Sequence, residues 1–140
     1  MSIRLGIDPG QSTGICIADR TFNEPKYRFE TLEWDELVPF LFLKIPSFRL
    51  DLVVCESFNL LPQKAASKSF SSFPEVEVIG LLRGLCHQFN VRMIELNAGT
   101  YKPFAEKNIQ VPVGVKTDRH QKDAYRVLKY AERFSLGQVS

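Results

Sequence analysis

The segment Asp51–Ser57, which reads DLVVCES, limits the possible folds more than any other part of the chain. It is a short, continuously apolar run that ends on a glutamate. Such a run is typical of a strand that is buried on both faces, because a strand with one solvated face alternates apolar and polar residues. A strand of this kind needs helices on both sides of its sheet, so the sequence favours an α/β fold.

A hairpin is predicted before this strand. Ile3–Asp8 and Gly14–Ala18 are strand-like, and the residues between them include Pro9 and Gly10, which favour a turn. The first strand therefore ends on an aspartate, directly before the turn. Lys26–Glu33 alternates and is rich in aromatic residues, which predicts a third strand.

The remainder of the chain alternates helices with one more strand. Phe58–Phe73 has no clean period and mixes Ser, Lys, Pro and Phe, which predicts a mobile loop. The predicted elements are a helix over Trp34–Leu43, a helix opening at SFPE (Ser72–Glu75) and running to Phe89, a strand over Val91–Leu96, and helices over Ala98–Lys107 and Asp118–Phe134. This order predicts one α/β domain over residues 1–140, with a mixed central sheet of about five strands, the first of them antiparallel, flanked by helices.

The composition is that of a globular domain. Of the 140 residues, 44% are hydrophobic and 24% are charged, which excludes an intrinsically disordered chain. The net charge of +2 neither requires nor excludes a nucleic-acid partner. No run is apolar enough for a membrane span, and the three scattered cysteines are expected to be reduced core residues of an intracellular protein.

The last predicted helix carries an acid on its apolar side. At 3.6 residues per turn, His120 and Asp123 fall on one stripe with Ala124, Val127, Leu128, Ala131 and Phe134, whereas Arg119, Lys122, Tyr125, Arg126, Lys129, Glu132 and Arg133 occupy the other faces. An inward carboxylate is costly unless it has a partner. A capping role for Asp123 is less suitable, because Thr117 and Asp118 are better placed to cap the helix. The pattern therefore favours a functional site.

Three acids on three elements are expected to meet. Asp8 and Glu56 each end an apolar strand, and Asp123 lies on the helix expected to pack across those strands. Carboxylate oxygens are the ligands that Mg²⁺ and Mn²⁺ prefer. Two such ions would activate a water and stabilise the leaving oxygen of a phosphodiester. His120 is a candidate fourth ligand or a group acting on that water.

Three motifs carry a family resemblance. GIDPGQSTG, VVCESF and HQKDA are similar to the motif set of the RuvC Holliday junction resolvases, within the ribonuclease H-like superfamily. The stretch FPEVEVIGLLRGLCHQFNVRMIELNAGTYKPF also resembles that family's long helix, strand and lysine-bearing segment. The chain is shorter than usual bacterial members, and its compactness is similar to that of phage RuvC-like proteins.

The resemblance implies a particular activity. Members are homodimeric, Mg²⁺-dependent endonucleases that cut four-way DNA junctions symmetrically. By position in the motifs, the catalytic and metal-binding residues would be Asp8, Glu56, His120 and Asp123. The implied location is the cytoplasm of a bacterial or phage-infected cell. Other branched DNA is a possible substrate, and nothing in the sequence indicates a helicase partner.

Candidate DNA-binding residues surround these acids. The resemblance implies an aromatic wedge at the junction centre, with Phe58 as first choice ahead of Phe70 and Phe73; packing under a loop or across a dimer interface is an equally good role for each. Phosphate contacts need cations. The candidate cations are Lys64, Lys68, Lys102, Lys116, Arg119 and Lys122.

Three other functions remain alternatives. Sugar kinases and actin-like ATPases open with a similar turn, but they close two such domains over ATP and 140 residues provide one. A YqgF-type RNA-processing nuclease fits the length and the acids. A catalytically inactive nucleic-acid or nucleotide-binding module is disfavoured because all four proposed site residues are present.

Overall fold

The computed structural model describes residues 2–21, 23–46, 50–57, 74–112 and 117–136. These ranges form a five-stranded sheet in the order β3-β2-β1-β4-β5. β1 pairs antiparallel with β2, and β2 with β3, whereas β4 runs parallel to both β1 and β5. The strands are β1 (Ile3–Asp8), β2 (Ser12–Asp19), β3 (Lys26–Glu33), β4 (Leu50–Ser57) and β5 (Arg92–Asn97). The predicted mixed sheet with antiparallel first strands is confirmed.

Four α-helices flank the sheet in the described ranges: α1 (Trp34–Lys44), α2 (Pro74–Phe89), α3 (Ala98–Asn108) and α4 (Arg119–Ala131). A five-residue π-helical segment, Glu132–Leu136, follows α4. Every predicted helix is present, with its described ends within a few residues of the prediction. None of these helices is both long and apolar enough to cross a membrane. The predicted loop Phe58–Phe73, including the capping residue Ser72, lies outside the described residues.

The sheet separates two apolar layers. Leu5, Ile7 and Val53 face α1 and α2, while Leu52 and Val54 face α3 and α4. Because side chains alternate along a strand, Gly6 and the final Asp8 of β1 point towards α3 and α4, as does Glu56 of β4. Cys16, Cys55 and Cys86 are buried and form no disulfide, as expected for core cysteines.

Two glycines allow α4 to lie unusually close to the sheet. A Cβ atom at Gly14 of β2 would overlap the backbone of His120, and one at Gly6 of β1 would overlap the carbonyl of Ala124. No larger residue fits at either position without moving the helix. The first two turns of α4 are therefore held directly above the ends of β1 and β2.

The outer part of α4 differs from the sequence expectation at two aromatic residues. The helical period of the sequence predicts Phe134 on the buried stripe, but the side chain is 37% exposed. The α-helix ends at Ala131, and the π-helical segment that follows changes the direction of the side chains. The Phe134 ring still packs on Tyr130. The same period predicts Tyr125 on an outer face of the helix, but the residue is buried against Tyr27 and Phe29 of β3. The reason is that the twisted sheet extends under that side of the helix.

The close approach of α4 gives a test of the fold. We expect Gly14→Ala to lower the free energy of unfolding by about 1–3 kcal/mol, because the methyl group must displace the helix backbone. Gly84→Ala is the matched control: among the described residues, a Cβ there meets nothing within 4 Å on the exposed side of α2, and the change is expected to stabilise by about 0.5–1 kcal/mol. Urea unfolding measures both. Equal effects of the two substitutions would contradict the packing argument.

Candidate active site

Four side chains predicted from the sequence meet at one end of the sheet. Ile7 pairs with Cys55 in the parallel β1–β4 ladder, so Asp8 and Glu56, which follow them, leave adjacent strands side by side. His120 and Asp123 come from the first turns of α4, above these strand ends. Asp8 and Asp123 are 6% and 7% exposed, so these two acids are almost removed from solvent, whereas the His120 side chain is partly exposed. The predicted convergence of the acids is confirmed, while their catalytic and metal-binding roles stay predictions.

The start of α4 is fixed by its own cap. Asp118 accepts a hydrogen bond from the Gln121 backbone N–H at 2.8 Å, and the Gln121 side chain accepts one from the Asp118 backbone N–H at 3.4 Å. Thr31 of β3 donates to Asp118 Oδ2 at 2.5 Å and accepts from Gln121 Nε2 at 2.9 Å. This capping box ties the helix to the sheet. Asp123 is thus free of the capping role, as the sequence indicated.

Asp8 and His120 form one pair within the cluster. His120 Nδ1 lies 3.0 Å from Asp8 Oδ2. Burial raises the pKa of Asp8 to about 7; the His120 contact opposes this rise, and the nearby charges of Glu56 and Asp123 add to it. The site therefore holds Asp8 where its negative charge is poorly solvated, which favours the approach of a cation.

Lys102 of α3 bridges the other two acids. Its Nζ lies 3.3 Å from Glu56 Oε1 and 3.5 Å from Asp123 Oδ2. Burial alone would lower the pKa of Lys102, but the Glu56 and Asp123 charges raise it above its ordinary value, so the side chain is an ammonium. Tyr101, the preceding residue, donates from its hydroxyl to Glu56 Oε1 at 3.1 Å. Both residues of α3 therefore act on the same glutamate.

The donor set fits a divalent cation in its chemistry. The three carboxylates suit Mg²⁺ or Mn²⁺, which prefer oxygen ligands. In the arrangement present, no three His, Cys, Asp or Glu side chains within the described ranges are grouped as a metal site. The acids are instead held by His120 on one side and Lys102 on the other. A bound cation would compete with Lys102 and His120 for the charge of these carboxylates.

The cluster opens into a cleft of about 610 Å³. The tight turn after β1 forms one wall through Pro9 and Gly10, and the Thr13 hydroxyl braces that turn by donating to the Gly10 carbonyl at 3.3 Å. The full lining comprises Asp8, Pro9, Gly10, Gln11, Ser12, Glu75, Lys102, Glu106, Arg119, His120, Asp123 and Arg126. The acids of this lining are accompanied by Lys102, Arg119 and Arg126, whose positive charges are available to an anionic ligand.

The predicted DNA-binding residues fall into three groups. Lys102 and Arg119 line the cleft, as expected. Lys122 lies on the exposed side of α4, apart from the lining residues. The other six predictions lie outside the described residues: Phe58, Lys64, Lys68, Phe70, Phe73 and Lys116.

Sequence reasoning missed two residues of the site. Arg126 lines the cleft, and its spacing of seven residues from Arg119 was a usable signal, since it places both on one side of a helix. Tyr101 is fully buried beneath Glu56. It had no sequence signal beyond its position beside Lys102, because a tyrosine in an amphipathic helix is most simply explained by packing.

The fold corresponds to that of solved structures. The five-stranded mixed sheet with these flanking helices is matched by solved structures of RuvC. T. thermophilus RuvC in complex with a Holliday junction substrate matches at a TM-score of 0.62 and 15% identity, over 98% of this chain and 97% of that one. A second Thermus thermophilus RuvC structure matches at a TM-score of 0.56 and 14% identity, over 95% and 97%. The chain therefore has a RuvC-like fold.

Sequence comparison adds nothing to this likeness. No protein-family model matches the chain, and no curated protein matches it. The fold supports the resemblance that the sequence motifs carry.

The electrostatics of Asp8 predict a stability effect. The folded-state pKa of Asp8 is about 7, against 3.8 for an unperturbed aspartate, so ionised Asp8 destabilises the folded protein. We expect Asp8→Asn to stabilise the protein by roughly 2–4 kcal/mol at pH 8 in EDTA, since one pKa unit corresponds to about 1.4 kcal/mol. The gain should be complete above the folded-state pKa of about 7, shrink as the pH falls from 7 to 3.8, and vanish only below 3.8, where Asp8 is neutral in both states.

Urea unfolding at pH 4.5 and pH 8 measures this difference. Asp35→Asn, at an exposed site in the first turn of α1, is the matched control and should change stability by less than about 0.5 kcal/mol at either pH. An Asp8→Asn protein less stable than wild type at pH 8 would mean that the His120 contact outweighs the cost of burial.

Proposed function

We propose that this protein is a divalent-metal-dependent endonuclease that cuts four-way or otherwise branched DNA by hydrolysing phosphodiester bonds. The observation that carries the proposal is the convergence of four side chains: Asp8, His120 and Asp123 line one cleft, and Glu56 is joined to Asp123 through Lys102. The RuvC-like fold supports the substrate class, because one of the matching RuvC structures is a complex with a Holliday junction.

The proposed cofactor is Mg²⁺ or Mn²⁺, with two ions per site. Asp8, Glu56 and Asp123 would hold them, and His120 would be a fourth ligand or orient the attacking water. When bound, such ions lower the pKa of water and stabilise the leaving oxygen of a phosphodiester. The protein itself would contribute three nearly buried carboxylates, which are held on the ends of two strands and on a helix whose first turn is capped.

The surroundings of the acids suit a nucleic-acid backbone. Lys102, Arg119 and Arg126 line the same cleft, and the Gly10 turn leaves one wall without a bulky side chain. Arginine and lysine neutralise phosphates as the strand enters. Paired cuts in the two opposing strands of a junction need two active sites, so we propose that the working unit is a homodimer.

The acids give the central test. Losing a group that only supports a metal ligand typically reduces activity by ~10–100-fold. Asp123→Asn and Asp8→Asn each change a proposed ligand itself, so we expect each to reduce cleavage of a labelled four-way junction by more than that. Junction binding should persist in both variants, because each removes a negative charge near the phosphates. Cleavage is measured on sequencing gels with Mg²⁺ or EDTA, and binding by gel shift in EDTA. Asp35→Asn is the control.

The choice of substrates separates the competing functions. Junction, linear duplex, single-stranded RNA and ATP are incubated in parallel with the wild-type protein. Paired symmetric cuts in the junction support the proposal. Cleavage of RNA alone would instead favour an RNA-processing nuclease of this fold, and ATP turnover without DNA cleavage would favour a nucleotide-binding domain.

Replacing Arg119 is expected to change the salt dependence of junction binding. Removing one phosphate contact should weaken junction binding and make the slope of log K against log salt shallower by about 1. Arg119→Ala is compared with Arg92→Ala, at the start of β5 and so at the opposite end of the sheet from the cleft. Fluorescence anisotropy across a salt series gives both slopes. Identical slopes for the two variants would remove Arg119 from the DNA-binding surface.

A further inference from the structure

We propose that Tyr101 is a positioning residue that holds the Glu56 carboxylate in the orientation needed to bind a divalent cation. The inference rests on the proposed function and extends it to a side chain that touches neither DNA nor the reacting atoms. The juxtaposition behind it is a fully buried phenol whose hydroxyl donates to Glu56 Oε1 at 3.1 Å.

The tyrosine ring is fixed by its packing. Tyr101 has no exposed surface and lies in the apolar layer between α3, α4 and the sheet, with Ala105 and Leu128. Its ring centroid is 6.3 Å from that of Tyr130. A buried hydroxyl needs a hydrogen-bond partner, and the ring has few rotatable bonds. The hydroxyl is therefore a donor in a nearly invariant position.

Tyr101 and Lys102 act on the same oxygen of Glu56. The Tyr101 hydroxyl and the Lys102 Nζ both lie near Oε1, at 3.1 Å and 3.3 Å. Fixing one oxygen of a carboxylate sets the direction in which the other points, and groups that orient metal ligands in this way tune metal affinity. The two donors differ in charge. Lys102 competes with an incoming cation, whereas the neutral phenol can stay on Oε1 after the cation arrives.

The chain places Tyr101 there through the β4–β5 register. Glu56 pairs with Leu96, and α3 begins at Ala98, directly after β5. The Asn97 side chain caps this helix by accepting from the Gly99 backbone N–H at 2.8 Å. Tyr101 is thus on the first turn of a capped helix that starts beside Glu56.

The experiment compares two removals of a single hydroxyl. Tyr101→Phe keeps the ring and deletes the donor to Glu56; Tyr130→Phe makes the same change in the neighbouring ring of the same aromatic cluster. Mn²⁺ binding to the full-length protein is measured by isothermal titration calorimetry and by the EPR signal of free Mn²⁺. We expect Tyr101→Phe to weaken Mn²⁺ binding by about tenfold, and Tyr130→Phe to leave it within twofold of wild type.

Two further readouts separate positioning from a loss of structure. Junction affinity in EDTA should be unchanged in Tyr101→Phe, and the Mg²⁺ concentration that gives half-maximal cleavage should rise by the same factor as the Mn²⁺ dissociation constant. Urea unfolding in EDTA shows that both variants are folded under the assay conditions. Equal losses of Mn²⁺ affinity in the two variants would assign the effect to general packing and overturn the inference.

The failure of this inference is distinguishable from the failure of the proposed function. If wild-type protein binds Mn²⁺ and cuts junctions, and Tyr101→Phe binds Mn²⁺ as wild type does, Tyr101 has no positioning role and the nuclease proposal stands. If wild-type protein neither binds Mn²⁺ nor cuts junctions, the metal-dependent function is wrong and the role of Tyr101 falls with it.

Discussion

The contact between α4 and the two glycines beneath it is the constraint on which the rest of this structure depends. Gly6 and Gly14 have no side chains, so the backbone of α4 rests almost directly on β1 and β2. Only at this depth do His120 and Asp123 come level with the strand-end acids. The capping box at Asp118, held by Thr31 of β3, sets where the helix begins. The glycines define the height of the helix and the cap defines its start.

Charge pairing explains how so many acids are tolerated in one small volume. Asp8 lies against His120, and Lys102 lies between Glu56 and Asp123, so each carboxylate has a partner. The balance is still unfavourable for Asp8, whose pKa burial raises to about 7. Such a cluster is expensive for the fold and is typical of a functional site. A divalent cation would supply the positive charge that the protein provides only in part.

Much of the fold and of the site was predictable because it depends on short-range patterns. Strand periods and turn residues located all five strands of the described sheet, and the apolar runs showed that Asp8 and Glu56 end strands. The 3.6-residue period placed Asp123 on the inner side of α4. The same reasoning failed at Phe134, where a π-helical segment changes the phase, and at Tyr125, which β3 covers. The sequence did not indicate a role for Tyr101, because its ring fits the apolar face of an amphipathic helix and its hydroxyl contacts Glu56, which is distant in the sequence.

By itself, the sequence determined which residues carry chemistry and which element each belongs to, since strand and helix periods depend on near neighbours along the chain. It also determined where α4 starts, through Asp118 and Gln121. Only the tertiary structure decided which oxygen meets which donor: Lys102 between two acids, His120 on Asp8, and Tyr101 beneath Glu56. Those contacts join different elements of the fold, and the pair His120 and Asp8 is 112 positions apart in the sequence. Their geometry depends on strand register and helix height, which no local pattern encodes.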